Sequence, residues 1–380
     1  MLIQIDNPYS GYEGPVLLSS GHRPFFLLAG LWAVAGLGLW VAALNGHLNL
    51  GSTWHGHEML WGFAVAAISG FLMAAVPKWT NRKPFMGTKV LVLVLLWLAG
   101  RVAMVTGVMP WIDLVYLPVL AVLMAIEIIT VGNKRNLVVP AVLLALSAVN
   151  GLYHLHDPAL ALRVATYLVA ALVALIGGRI VPAFTQNALR MALGDRTISC
   201  ETPKALDIAA VPLVFLVAVT ELAWPETTLT GVVALAAGGV LAVRMLRWQT
   251  AKTLSLPLVW ILHAGYVWVP LGFLMKAGAD LGLGIDPSAA LHALTAGAVG
   301  VMILAVASRA ALGHSGRPLE PATATVAAYY LVLAAAVVRV FAPIGDATTV
   351  AGLLWVVGYG LFSAVYWPIL TRPRIDGLPG

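Results

Sequence analysis

The chain reads as a succession of long apolar runs separated by short polar connections. The runs cover residues 25–46, 55–76, 90–108, 114–130, 137–154, 162–181, 206–223, 229–247, 256–276, 289–312, 323–341 and 349–370. An α-helix needs about 20 consecutive apolar residues to cross a bilayer. Open strand edges are not tolerated there, so the pattern predicts an all-α polytopic membrane protein, a bundle of about 12 transmembrane helices. Pro118, Pro212 and Pro270 fall inside runs, where they should kink the helices. No internal repeat or low-complexity linker divides the chain. It reads as a single transmembrane helical domain over residues 1–380, with a possible six-plus-six division near 182–205. No P-loop occurs, and no glycine-rich dinucleotide motif lies between a strand and a helix.

Composition points the same way. Of 380 residues, 61% are hydrophobic and only 10% charged, with a mean hydropathy of +0.92. Globular domains carry about 25% charged residues, so a soluble protein is excluded. Residues 1–20 are polar and lack the hydrophobic core of a cleavable signal peptide, so the first span is expected to act as the targeting signal. The net charge of +6 then reports topology rather than a nucleic-acid partner. Lys78, Arg82, Lys83, Lys89, Lys134, Arg135, Arg190, Arg196, Lys204, Arg247, Lys252, Arg317, Arg372 and Arg374 fall at alternate connections. Asp113, Asp157, Glu221, Glu226, Asp280, Asp286 and Asp346 fall at the others. Basic loops face the cytoplasm, which places both termini there. Asp6 and Glu13 run against this alternation, but the rule counts lysine and arginine. A single cysteine, Cys200, excludes an internal disulfide and a thiolate cluster.

Histidines and one glutamate carry the candidate chemistry. Trp54-His55-Gly56-His57-Glu58-Met59-Leu60-Trp61-Gly62-Phe63 opens the second run, and ionisable groups in a span are functional candidates by default. Helical residues turn by about 100° each, so His55 and His57 point about 200° apart and cannot serve one metal from one helical face. Either the first turn is unwound or the two imidazoles serve different sites; an interfacial pair hydrogen-bonded to loop backbone is the alternative. His55 shares a face with Glu58, Gly62 and Ser69, and His57 with Trp61, Ala64 and Ile68. Glu58, three residues beyond His55, is placed to accept that imidazole's free N–H or to act as a proton port. His263 lies about seven residues into the ninth run beside Trp260 and Tyr266, as a ligand or a hydrogen-bonded core residue near mid-membrane. His292 and Thr295 lie one turn into the tenth run, at the level of His55. His22 and His314 mark the cytoplasmic ends of runs one and ten. His47, His154 and His156, in or beside loops, are expected to be solvated. Gly177-Gly178 and Gly297/Gly300 permit close helix contact or the approach of a flat cofactor.

The stretches 55–80, 177–187 and 292–319, above all HALTAGAVGVMILAVASRAALGHSGRPL, resemble the NnrS family of bacterial inner-membrane proteins. The likeness in character extends along the whole chain. It implies a protein that binds haem, of the b type, and copper. It also implies a part in the nitric oxide response, relieving nitrosative stress, often beside denitrification. His55, His57, His292 and His314 are the histidines in the matching motifs, with Glu58, Arg309 and Arg317. His22, in Gly21-His22-Arg23-Pro24-Phe25-Phe26, is similar to the family's opening segment, and His263 to its ninth span. Ser315 and Lys78 stand where threonine and asparagine are commoner, and neither removes a ligand candidate. Arg179, Arg309 and Arg317, at cytoplasmic span ends, are candidates for holding haem propionates, with positive-inside anchoring as the alternative. The implied partners are the membrane, nitric oxide or a related small molecule, and an electron donor. The architecture is similar to that of haem–copper oxidases. Two adjacent histidines on one span are missing, so oxygen reduction is not expected. Two other readings suit the pattern: a proton-coupled secondary transporter with a His/Glu58 relay, and a metal-carrying assembly factor for a respiratory enzyme.

Overall fold

The computed structural model describes residues 12–342 and 345–377, so Asp6 lies outside the described residues. Among the described residues, twelve helices are long and apolar enough to span a bilayer. They are α1 (His22–Leu44), α2 (Ser52–Thr80), α3 (Thr88–Thr106), α4 (Pro110–Thr130), α5 (Lys134–Leu155) and α6 (Pro158–Leu193). The second six are α7 (Lys204–Ala223), α8 (Thr228–Met245), α9 (Pro257–Asp280), α10 (Pro287–His314), α11 (Thr323–Phe341) and α12 (Asp346–Thr371). Among the described residues there is no strand. Local sequence explains where the helices begin and end. Asp-Pro pairs open α6 and α10: the Asp157 carboxylate accepts Leu160 N–H, and Asp286 accepts Ser288 and Ala289 N–H. Gly194, at φ +65°, closes α6 in the left-handed region that glycine adopts without strain.

Neighbours in sequence are neighbours in space, and α12 packs back against α1 to close the ring. Burial sorts the helices into two layers. The most apolar stretches of α2, α6, α9 and α10 are 67–72% buried, whereas the other eight lie between 33% and 39%. Four helices thus form the centre and eight surround it. His55, His57, His263, His292 and His314 all ride on central helices.

Three of these central helices depart from regular α geometry. In α2 the residues Glu58–Ala64, directly after His57, form a π-helical stretch, and in α10 the same happens over Ala293–Gly300, directly after His292. Such wide turns are rare and gather at functional sites. Side chains from neighbouring helices bond carbonyls within them: Trp97 Nε1 donates to Gly62 O at 3.2 Å, and Tyr359 Oη to Gly300 O at 2.7 Å. In α9 the helix breaks at Val267, three residues before Pro270. α7, by contrast, runs without interruption through Pro212.

The largest departure from the predicted spans is α6, which continues past residue 181 to Leu193 even though Pro182 lies inside it. A helical proline strips the carbonyl four residues earlier of its partner, here that of Gly178. Arg244 of α8 supplies the replacement, its Nη2 donating to Gly178 O at 3.1 Å and its Nη1 to Ala174 O at 3.2 Å. Gly178 has no side chain to hold that guanidinium away. The nearby glycines do similar work: Gly177 receives the Tyr266 ring, Gly297 the Trp268 ring and Gly300 the Trp355 ring.

Candidate functional site

A cavity of about 790 Å³ lies at the acidic-loop end of the bundle, bounded by α1, α2, α6, α9, α10, α11 and α12. Two histidines face it. His292 donates Nδ1–H to the Ser288 carbonyl at 2.7 Å, one turn earlier on the same helix. That bond fixes the tautomer and leaves Nε2 as an unprotonated lone pair. His55, on α2, is held flat against Trp40, with ring centroids 5.0 Å apart and 13° between planes. Its Nδ1 is buried without a hydrogen-bond partner. Phe63 and Trp355 add apolar wall.

The cavity's cations differ in their availability. Lys276 bridges Glu221 Oε2 at 2.9 Å and Asp280 Oδ1 at 2.8 Å, and Arg163 holds Glu221 Oε1 at 2.7 Å. Those four charges cancel. Among the described residues Arg339 has no carboxylate within salt-bridge distance, and it donates to Ser288 Oγ at 2.9 Å. It is the cavity's uncommitted guanidinium, one helix away from His292. Guanidinium suits a carboxylate through its planar fork.

His57 faces away from this cavity, into a buried polar network among α2, α3, α4 and α5. Its Nδ1 meets Glu58 Oε1 at 2.9 Å, and its Nε2 meets Asp113 Oδ2 and Asn150 Oδ1, both at 3.1 Å. Arg101 Nη1 donates to Glu58 Oε1 at 2.6 Å, and Nη2 donates to Asp113 Oδ1. Asn150 Nδ2 donates to Asp113 Oδ2 at 2.6 Å. Glu58 is therefore not the partner of His55 that its spacing suggests. The π-helical turn beginning at Glu58 widens the helix and carries the carboxylate toward His57 and Arg101.

A family model described as NnrS protein matches residues 16–374. The chain belongs to the NnrS family. No curated protein matches it as a relative.

The remaining NnrS-motif histidines sort by their partners. Thr185 donates its hydroxyl to Val181 O, so it accepts His263 Nε2–H at 2.7 Å; His263 Nδ1 then accepts from Thr250 Oγ1 at 2.9 Å. Both ring nitrogens are occupied, which makes His263 a hydrogen-bonded core residue without a lone pair for a metal. Thr250 precedes α9, so His263 lies near the basic-loop end and not at mid-span. His22 and His314, 292 residues apart in sequence, meet at that same end with ring centroids 4.7 Å apart and planes tilted by 37°. Ser20 Oγ lies 2.8 Å from His22 Nδ1, and Lys78 Nζ lies 3.5 Å from His314 Nε2.

Arg179, Arg309 and Arg317 do not line the His55/His292 cavity. They belong toward the opposite, basic-loop end: Arg179 Nη1 bonds Asn136 Oδ1 at 3.4 Å at the start of α5, and Arg309 lies over the Phe184 ring at 4.3 Å. Arg317 Nη1 is buried and unpartnered. His154 also corrects its expectation. It lies inside the end of α5 with its side chain only 10% exposed, 3.8 Å from Asp113 Oδ2, whereas His47 and His156 are exposed. Sequence reasoning missed Arg101, Asn150, Arg163 and Arg339, and took Asp113 for an ordinary loop acid. A signal was present: Arg101, Arg163 and Arg339 break the alternation of basic and acidic ends, and all three turn inward.

Proposed function

We propose that this protein binds haem and copper, handles nitric oxide and relieves nitrosative stress beside denitrification. We place it in a bacterial inner membrane with the basic loops and both termini on the cytoplasmic side. One observation carries the reading: the Ser288 carbonyl holds His292 so that its Nε2 lone pair is free at the cavity of about 790 Å³. Cofactor sites fall in the range of about 300–1,000 Å³ and are mostly apolar with a few placed polar groups. The donor set fits haem. His292 and His55 offer imidazole nitrogen, Trp40 fixes the plane of the His55 ring, and Arg339 offers a fork for a propionate.

Bound haem supplies a redox-active iron that takes nitric oxide as a ligand. The protein's own residues hold the tautomer of His292 and keep Lys276 and Arg163 neutralised by Glu221 and Asp280. An electron donor outside this chain is implied. Copper falls to histidines outside the cavity. A visible spectrum of the detergent-purified protein tests the haem reading, and the expected result is a Soret band that shifts on adding nitric oxide to the reduced form. His292→Ala should remove the band from protein that still inserts. A wild-type protein without it, purified from haem-replete cells, overturns the reading and leaves the transporter alternative, which has no use for haem.

A further inference from the structure

The His57 network contains an arrangement that a neutral imidazole cannot satisfy. Nδ1 faces Glu58 Oε1 at 2.9 Å, while Nε2 faces Asp113 Oδ2 and Asn150 Oδ1, both at 3.1 Å. Every one of these partners is an acceptor. The Asn150 amide cannot be turned to relieve this, because its Nδ2 is needed to donate to Asp113 Oδ2 at 2.6 Å. A neutral ring has one N–H, so against two ionised carboxylates one side of His57 needs a further proton or a cation. The charges agree: Glu58 and Asp113 are two anions against the single guanidinium of Arg101.

That charge is either a second proton, on His57 or on a facing carboxyl group, or a metal ion at Nε2. His154 decides between them. Its Nε2 is buried without a hydrogen-bond partner and lies 3.8 Å from the same Asp113 oxygen that His57 approaches. A proton on His57 leaves this nitrogen orphaned, whereas an ion seated against Asp113 Oδ2 takes both imidazoles at once. The three candidate ligand atoms all lie within 4.8 Å of one another. Two ligands about 2.0–2.2 Å from one ion at the tetrahedral angle sit about 3.4 Å apart. The Asp113 separations of 3.1 and 3.8 Å bracket that value.

We propose that His57 Nε2, Asp113 Oδ2 and His154 Nε2 bind one divalent transition-metal ion, entered from the acidic-loop end past His154. Two imidazoles and a carboxylate suit Zn²⁺, Cu²⁺ or Ni²⁺ and discriminate against Mg²⁺ and Ca²⁺. Glu58 accepts the other N–H of His57 and so holds the ring in the tautomer that presents Nε2, and Arg101 fixes both carboxylates. The site deepens the copper half of the reading above and does not depend on haem, since none of its ligands lines the cavity.

The test uses the full-length protein in detergent, stripped with a chelator and equilibrated with Cu²⁺ or Zn²⁺ in excess Mg²⁺. Bound metal is counted by mass spectrometry, and the Cu²⁺ form is examined by electron paramagnetic resonance. Wild type should hold one equivalent, with hyperfine structure from imidazole nitrogen. His154→Ala, at a helix end, should weaken binding by more than the about 10–100-fold typical of losing an outer partner. His156→Ala, two residues on and exposed, should bind like wild type. Wild-type affinity in His154→Ala, no tight equivalent in wild type, or displacement by Mg²⁺ each overturns the proposal. The Soret band read on the same sample keeps the two readings separate. Haem without this metal sinks the site alone, and metal without haem sinks the cavity assignment alone.

Discussion

Replacing Arg101 by leucine removes the guanidinium that pairs with both carboxylates of a buried pocket. Arg101 and its partners are almost fully enclosed, with side-chain exposures of 2% for Arg101, 1% for Glu58 and 4% for Asp113. Water cannot take over the abandoned charges. Breaking such a buried pair from one side costs about 3–5 kcal/mol, roughly a 10²- to 10³·⁵-fold change in the unfolding constant at 1.4 kcal/mol per decade. A control sits in the same molecule. Arg82 bonds Glu127 at 2.6 Å, as close as Arg101 to Glu58, but Arg82 is 39% exposed. Its leucine variant should lose less than about 1 kcal/mol, since solvent screens the pair. Both can be unfolded by SDS in mixed micelles and followed by tryptophan fluorescence. Leucine at positions 58, 101 and 113 together should recover most of the Arg101→Leu loss, because no unpaired charge is then left. Equal losses in Arg101→Leu and Arg82→Leu would refute the argument that burial, and not distance, sets the value of these bonds.

Other measurements reach the remaining sites. Glu58→Gln keeps the shape of the network but not its charge, and should weaken metal binding at His57 by about 10–100-fold, read by competition with a chromogenic chelator. His263→Gln should leave haem and metal content at wild-type values and lower stability by about 1–2 kcal/mol for its lost hydrogen bonds; loss of cofactor there would contradict its assignment to the core. Arg339→Gln should retain the Soret band while weakening haem retention, measured by transfer to apomyoglobin. For orientation, cysteine at position 83 should resist an impermeant thiol reagent in spheroplasts and cysteine at position 157 should react. Native Cys200 gives little background, since it is buried and burial pushes its thiol pKa up.

The helices were legible because apolar run length is a bulk property: all twelve runs became helices, most within a few residues of their expected ends. α6 was the exception, because its continuation past Pro182 depends on Arg244 from another helix, a contact with no local trace. Rotation about the α2 axis told that His55 and His57 diverge. It failed for Glu58, because period-3.6 arithmetic does not see a π-helical turn. The partners of His57 come from three other helices, so no spacing rule joins Asp113, Asn150 and Arg101 to it. Arg339 and Arg163 were visible as basic residues at the wrong ends of their spans, and that misfit marks residues that face inward.

The bond from Arg244 to the Gly178 carbonyl constrains how this chain enters its membrane. The two residues are separated by 66 positions, and a ribosome adds about 5–20 residues per second. After Gly178 has been made, its carbonyl therefore waits about 3–13 s for the side chain that completes it. An unsatisfied carbonyl in hydrocarbon costs several kcal/mol, so during that interval α6 must draw on water from the membrane surface or remain within the insertion machinery. The sixth helix is thus finished by the eighth. Nascent chains halted before residue 244 should leave the segment after Pro182 open to protease, and chains released just beyond that residue should close it.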